Sequence, residues 1–313
     1  MENALKAKIL KGVGGLYSVR VIEPNTPLTG ETLRCRARGS FRHNNLSPLP
    51  GDYVSVSVEG EGEEASYVIS EIVDRRNSLI RPPMANLDYL FVTMAAAAPS
   101  PILSTVDKLI AIAEHNKIEP VIVITKCELD SARAKEIYEI YSKCGFYCFM
   151  LSAKENIGVS DIDEFIREKL PTKTAAFAGA SGIGKSTLLN RLFPSLDLST
   201  SEISKKIERG RHTTREVNLF PLSEKTNCGY IADTPGFSML DFKRFDFFEK
   251  DELIDTMREF APYIGSCRYT KCSHTKEQGC AVIEAVRSGD IPKSRHESYV
   301  EIYDILKTRK KWD

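Results

Sequence analysis

The segment FAGASGIGKSTLLN, residues 177–190, constrains the fold of this chain more than any other stretch. Gly179, Gly184, Lys185 and Ser186 fill the four specified positions of G-x-x-x-x-G-K-[ST]. That pattern requires a strand, a tight loop and a helix N-terminus in immediate succession. The chemistry explains the residue types. Glycines let backbone N–H groups close around phosphates, Lys185 neutralises the outer phosphates, and the Ser186 hydroxyl is a magnesium ligand. Gly179, Ala180, Ser181, Gly182, Ile183, Gly184, Lys185, Ser186 and Thr187 are the candidate phosphate contacts.

The rest of the chain must supply a base reader and a purpose. Its 313 residues leave room for two or three domains of roughly 100–150 residues. Residues 1–80 carry short β-branched or alternating runs, LYSVRVIE, TLRCRARG, DYVSVSVEG and SYVISEIVD, separated by Gly, Pro and Asn. About five such strands make a small β-barrel, either an OB-fold or an SH3-like barrel. Residues 81–240 change to strand–helix alternation, the signature of a mostly parallel α/β sheet. There the spacing predicts a helix over STVDKLIAIAEHN, capped by Ser104 or Thr105. Residues 241–313 read as helices, including DELIDTMREF, around a cysteine cluster. No apolar run approaches the roughly 18 residues of a membrane span, and MENALKAKILKG is too short and polar for a signal peptide. A cytoplasmic chain with no membrane partner is expected. Net charge is zero, so no global field draws it to nucleic acid.

Downstream of the phosphate loop comes IADTPGFS. Asp233 ends an apolar strand, where a carboxylate can enter the magnesium shell, and Gly236 can offer its N–H to a γ-phosphate. Between the two lies ERGRHTTREV, whose Thr213 and Thr214 are both candidates for the threonine that joins magnesium. The base reader is not downstream. It is upstream, in PVIVITKCELD, where a strand ends in Thr125 and Lys126 with Glu128 two positions on. A companion follows in FMLSAKENIG, at Ser152, Ala153 and Lys154. A carboxylate at Glu128 can accept from guanine N1–H and N2–H₂, whereas adenine would leave it unpaired. Lys126 would lie along the base, and Ala153 would offer its N–H to the guanine oxygen. The general GTPase motif N-K-x-D has Asn and Asp where this chain has Thr125 and Glu128. The order is therefore base reader, companion, phosphate loop, switch threonine and D-T-P-G: a GTPase cycle cut and rejoined, which close domain termini permit.

The position that holds a water-orienting glutamine in Ras-like enzymes is Phe237, so slow intrinsic hydrolysis is expected. His212, beside the threonines, is the nearest polar candidate to orient the water. A contact to RNA is its other reading.

CRYTKCSHTKEQGC places Cys267, Cys272, His274 and Cys280 within fourteen residues. Four soft ligands with no open position suit one structural zinc. In LRCRARGSFRHN, Arg34, Arg36 and Arg38 share one strand face, with Arg42 next to it and Phe41 as a candidate stacking ring. That face is either an RNA-binding surface or a solvated edge.

The permuted order, GASGIGKST, RGRHTT, DTPGF, the N-terminal barrel and the cysteine cluster together resemble the ribosome small-subunit-dependent GTPase A family, RsgA, also called YjeQ or YloQ. The resemblance covers nearly the whole chain. It implies an OB-fold barrel, a circularly permuted P-loop GTPase and an α-helical zinc-binding domain. It also implies a monomer that hydrolyses GTP to GDP with Mg²⁺ and carries zinc. Such a protein acts late in assembly of the small (30S) ribosomal subunit, is stimulated by that subunit, and binds rRNA through its flanking domains. A small-molecule kinase would need an acceptor pocket and a catalytic base, for which the sequence has no motif.

Overall fold

The computed structural model describes residues 4–39, 41, 46–60, 66–194, 217–225, 228–233 and 247–308. The first five strands are β1 Leu5–Val13, β2 Leu16–Val21, β3 Thr32–Ala37, β4 Tyr53–Glu59 and β5 Ser66–Ile72. They close a barrel in the order β1-β2-β3-β5-β4, with β4 returning to β1. β3 and β5 run parallel, and the other pairs are antiparallel. This five-stranded closed barrel is of the OB type, which resolves the choice that strand patterning left open. The alternation is visible in β3: Leu33 and Cys35 are buried, Arg34 and Arg36 exposed. Ala7, Ile9, Val19, Val21, Val54, Val56 and Ile69 complete the barrel core. Phe41 belongs to that core too, so the expected stacking ring is not presented to a ligand. Burial of its ring among aliphatic neighbours outweighs exposure.

A short pair follows, β6 Ser78–Leu79 with β7 Met84–Ala85. Among the described residues the second sheet has six strands: β8 Tyr89–Ala95, β9 Glu119–Thr125, β10 Tyr147–Met150, β11 Thr174–Ala178, β12 Asn218–Pro221 and β13 Tyr230–Asp233. Their order is β10-β9-β8-β11-β13-β12. β10 lies parallel to β9 and β11 parallel to β13, while β12 is an antiparallel edge. β9 and β11 are buried almost throughout, as strands covered on both faces must be. The helices between them are α1 Leu103–His115, α2 Ser131–Lys143, α3 Val159–Lys169 and α4 Lys185–Leu192. α2 is capped by Asp130, which accepts from the Arg133 N–H at 2.9 Å. The cap expected at Ser104 or Thr105 is absent: the N-cap is Ile102, two or three residues earlier, with no side-chain cap bond.

The last part holds α5 Ala281–Ser288 and α6 Lys293–Thr308. The helix expected over DELIDTMREF is instead two 3₁₀ turns, Leu253–Thr256 and Arg258–Tyr263, separated at Met257. Thr256 Oγ1 donates back to the Leu253 carbonyl at 2.7 Å, the local competition that interrupts helices, and Pro262 lacks an N–H for the second turn. No described helix is long and apolar enough to cross a membrane.

Two compact units emerge. One comprises Met1–Tyr89, Asp163–Phe177 and Phe193–Phe237; the other comprises Leu90–Ile162, Ala178–Leu192 and Ser238–Asp313. The phosphate loop, the base-reading segment, its companion and the cysteine cluster all lie in the second unit.

Candidate functional site

The phosphate loop leaves β11 at Ala178 and enters α4 at Lys185. Its first glycine is sterically obligatory. Gly179 has φ +144, and a Cβ there would sit 2.2 Å from the Thr93 carbonyl oxygen. Gly184 has φ +95, a left-handed backbone favouring glycine. Lys185 Nζ donates to the carbonyls of Gly179 at 2.6 Å and Ala180 at 3.1 Å, which puts the ammonium over the loop. Ser186 and Thr187 follow in the first turn, Ser186 half-buried and Thr187 exposed.

The base-reading segment folds against this loop although it lies some fifty residues before it in sequence. Thr125, at the end of β9, is buried, and its Oγ1 donates to the Ile183 carbonyl. Lys126 Nζ donates to the carbonyls of Gly182, at 2.7 Å, and Ala98. Lys126 adopts φ +55, uncommon for a non-glycine residue. The turn it makes brings its side chain back over the loop and carries the chain on to Glu128. Glu128 Oε2 is buried with no hydrogen-bond partner among the described residues. A buried carboxylate oxygen left unmatched costs free energy unless a donor arrives. A carboxylate at this position is an acceptor of the type a guanine N–H pair needs.

The companion segment is tied to the same place. The Cys127 N–H donates to the Leu151 carbonyl at 3.3 Å. Ser152 is fully buried, exchanges backbone hydrogen bonds with Ile157 at 2.9 and 3.0 Å, and accepts from the Glu155 N–H on Oγ at 3.1 Å. Ala153 is half-buried and Lys154 exposed. The structure thus brings Thr125, Lys126, Glu128 and the Ser152–Lys154 turn together with the loop that starts at Gly179. Asp233 is the last residue of β13; its side chain lies outside the described residues, as do His212, Thr213, Thr214, Gly236, Phe237 and Arg42.

Cys267, Cys272, His274 and Cys280 also converge, with ligand atoms all within 4.8 Å of one another. Cys267 Sγ and Cys280 Sγ lie 3.5 and 3.4 Å from His274 Nδ1, and 3.9 Å apart. Tetrahedral zinc with Zn–S about 2.3 Å and Zn–N about 2.05 Å requires edges of about 3.8 Å for S···S and about 3.6 Å for S···N. The four residues could therefore hold a zinc ion with little adjustment. His274 holds φ +57, turning its ring inward. Burial lowers its pKa, which favours the neutral imidazole a metal needs. The Ala281 N–H donates to Cys267 Sγ at 3.3 Å. His296 Nε2 and Tyr299 Oη, both on α6, hydrogen-bond the carbonyls of His274 and Ser273 at 2.7 and 2.9 Å. Such outer contacts fix a ligand loop.

On the barrel, Arg34, Arg36 and Arg38 are all exposed. Arg38 is partly committed, since its guanidinium pairs with the exposed Glu59 at 3.0 Å. Sequence reasoning gave no role to the alanine-rich tract after β8. Its Ala98 carbonyl holds Lys126, and the prolines at 99 and 101 were the available sign of a fixed turn.

The family model described as RsgA GTPase matches residues 72–243, and that described as RsgA N-terminal domain matches residues 6–67. The small ribosomal subunit biogenesis GTPase RsgA of Ruminiclostridium cellulolyticum is 39% identical over 299 residues, covering 96% of this chain and 93% of that one. The protein of the same name from Alkaliphilus metalliredigens is 37% identical, covering 98% and 99%. Among solved structures, YjeQ from Thermotoga maritima is 32% identical with a TM-score of 0.79, covering 98% of this chain and all of that one. YloQ, described as a circularly permuted GTPase, is 32% identical with a TM-score of 0.74, covering 98% and 96%.

Proposed function

The chain belongs to the RsgA GTPase family, and on that premise we propose that it hydrolyses GTP as a maturation factor of the small ribosomal subunit. Three domains serve that role, with boundaries near residues 80 and 240: an RNA-binding barrel, the GTPase and a zinc-holding helical domain. The protein works in the cytoplasm as a monomer, cycles between GTP and GDP, and docks on rRNA through its flanking domains.

The observation that carries the nucleotide assignment is the segment leading to Glu128, pinned to the phosphate loop by Thr125 and Lys126. In this reading Glu128 accepts from guanine N1–H and N2–H₂, Lys126 covers the base, and the Ala153 N–H meets the guanine oxygen. The loop from Gly179 to Thr187 cradles the phosphates and Lys185 turns its ammonium onto them. Magnesium would be held by Ser186, Asp233 and one of Thr213 and Thr214, and when bound it neutralises charge developing on the transferred phosphoryl group. The Gly236 N–H would meet the γ-phosphate. His212 orients the attacking water, because Phe237 has no polar group for that task.

The test of the base reader is competitive nucleotide binding. Glu128→Gln should weaken GTP binding by about 1.5–3 kcal/mol, the worth of a hydrogen bond to a charged group, and should favour xanthosine triphosphate over GTP. Wild-type affinity for GTP in that variant would remove Glu128 from the site. For His212, replacement by Ala should abolish most subunit-stimulated turnover with GTP affinity retained; full stimulation would exclude it.

A further inference from the structure

Lys8 lies on β1 of the barrel, and its side chain has no solvent exposure. Its Nζ donates to Thr174 Oγ1 at 2.8 Å and to Tyr53 Oη at 3.2 Å. It also sits 4.3 Å from the Tyr53 ring centroid and 4.7 Å from that of Tyr230. Thr174 opens β11 and Tyr230 opens β13. These are the two strands that run on to Gly179 and Asp233. The two openings are themselves joined, because Thr174 pairs with Tyr230 in the sheet and the Tyr230 N–H donates to the Lys173 carbonyl at 2.8 Å. A single ammonium from the barrel therefore grips both phosphate-side strands at their starts. Gly179 is about 16 Å and Asp233 about 10 Å further along extended chain.

We propose that Lys8 is a coupling residue: it fixes the starts of β11 and β13 to the barrel, so that loading of the barrel's outer face is transmitted along these strands to the phosphate side of the nucleotide site. The subunit-stimulation part of this idea rests on the proposed function; the mechanical link does not.

The grip is of an unusual kind. Among the described residues, Lys8 Nζ donates to two hydroxyls and lies over two ring faces, which attract a desolvated cation. Asp88, Asp52, Arg76 and Cys228 act on it through space without ion-pairing it, and Tyr53 and Tyr230 face it directly. Burial pulls its pKa from the ordinary 10.5 down to about 8, with Asp88 opposing. The sign follows. A lysine with a depressed pKa releases its proton on becoming buried, so the gripped state gains as pH rises from about 8 towards 10.5 and gains nothing more above that. That gain belongs to the neutral amine, which keeps the two hydroxyl contacts and gives up the attraction to the rings.

The experiment uses the full chain and two variants, Lys8→Met and Lys8→Arg. With small subunits, Lys8→Met should bind them as wild type does, since Arg34 and Arg36 are untouched. Its KM for GTP should stay within about twofold, while stimulated kcat falls about tenfold, the scale of a small misplacement of reacting groups. Lys8→Arg should recover part of the loss. Equal stimulated kcat in wild type and Lys8→Met would overturn the proposal. A wild type that no subunit stimulates would instead refute the proposed function, and the link is then read without ribosomes. In that arm, amide exchange of residues 174–176 and 230–232 should be faster in Lys8→Met than in wild type at the same pH. Equal protection in the two proteins would overturn it.

Discussion

Two buried cations fasten the ends of this chain, and they do so differently. Lys8, near the N-terminus, is surrounded by hydroxyls and rings. Arg295, on α6, has no exposure and is held by two carboxylates: Nη1 donates to Asp107 on α1 at 2.6 Å, and Nε to Glu259 at 2.8 Å. Tyr141 Oη donates to the same Asp107 oxygen at 2.9 Å. Around it, Arg258 pairs with Glu114 and Glu119, and Lys108 with Glu301. A charge buried with its counterions is expensive to separate, because separation strands charges of both signs. A charge buried among neutral groups loses less when it is pulled out, because water takes it back. The C-terminal joint is thus permanent and the barrel's grip is conditional. The Arg295 joint ties α6 to α1, the helix between β8 and β9.

The largest expected effect comes from removing metal. The zinc loop is bonded to α6 by His296 and Tyr299, one and four residues after Arg295. Cys272→Ser, or chelation, removes binding energy that in small zinc peptides is on the order of 10 kcal/mol. Proteolysis should then cut after residue 260 while residues 90–192 stay protected. One zinc per chain by metal analysis is expected, and its absence from carefully purified protein would sink this. Next, Arg295→Ala should destabilise by about 3–5 kcal/mol in denaturant unfolding, since Asp107 and Glu259 are left buried and unpaired. Lys8→Met should cost less than about 1 kcal/mol, because no buried carboxylate loses a partner. Equal losses in these two variants would erase the distinction between the joints. The smallest effect concerns the barrel face. Replacing Arg34, Arg36 and Arg38 with Ala should make the salt dependence of subunit binding shallower by about 1.5–2 in log–log slope, at roughly 0.7–0.9 per phosphate contact. Three full contacts are not expected, because Arg38 is spent on Glu59. An unchanged slope would return the face to the role of a solvated edge.

What was legible in the sequence follows from range. The phosphate loop and the four metal-type ligands are compact in sequence, so their spacing carries their geometry. The segment that meets the loop was marked by an apolar strand ending at Thr125, even though Ile183 lies 58 residues away. Lys8 and Arg295 were not legible. Their partners Thr174 and Asp107 lie 166 and 188 residues away, and a lysine among strand residues reads as solvated until the fold closes over it. Phe41 was misjudged for the converse reason: beside arginines it looked like a surface ring, but the barrel needed it inside. Ser104 and Thr105 are good capping types two and three residues too late.

The measurement that bears most directly on the account is steady-state turnover of GTP and of ATP by the intact protein, with and without purified small ribosomal subunits. The account predicts slow GTP hydrolysis alone, a large rise in kcat when small subunits are added, and no comparable ATP turnover in either case. Turnover of ATP as efficient as that of GTP, or GTP hydrolysis indifferent to the subunit, would contradict it.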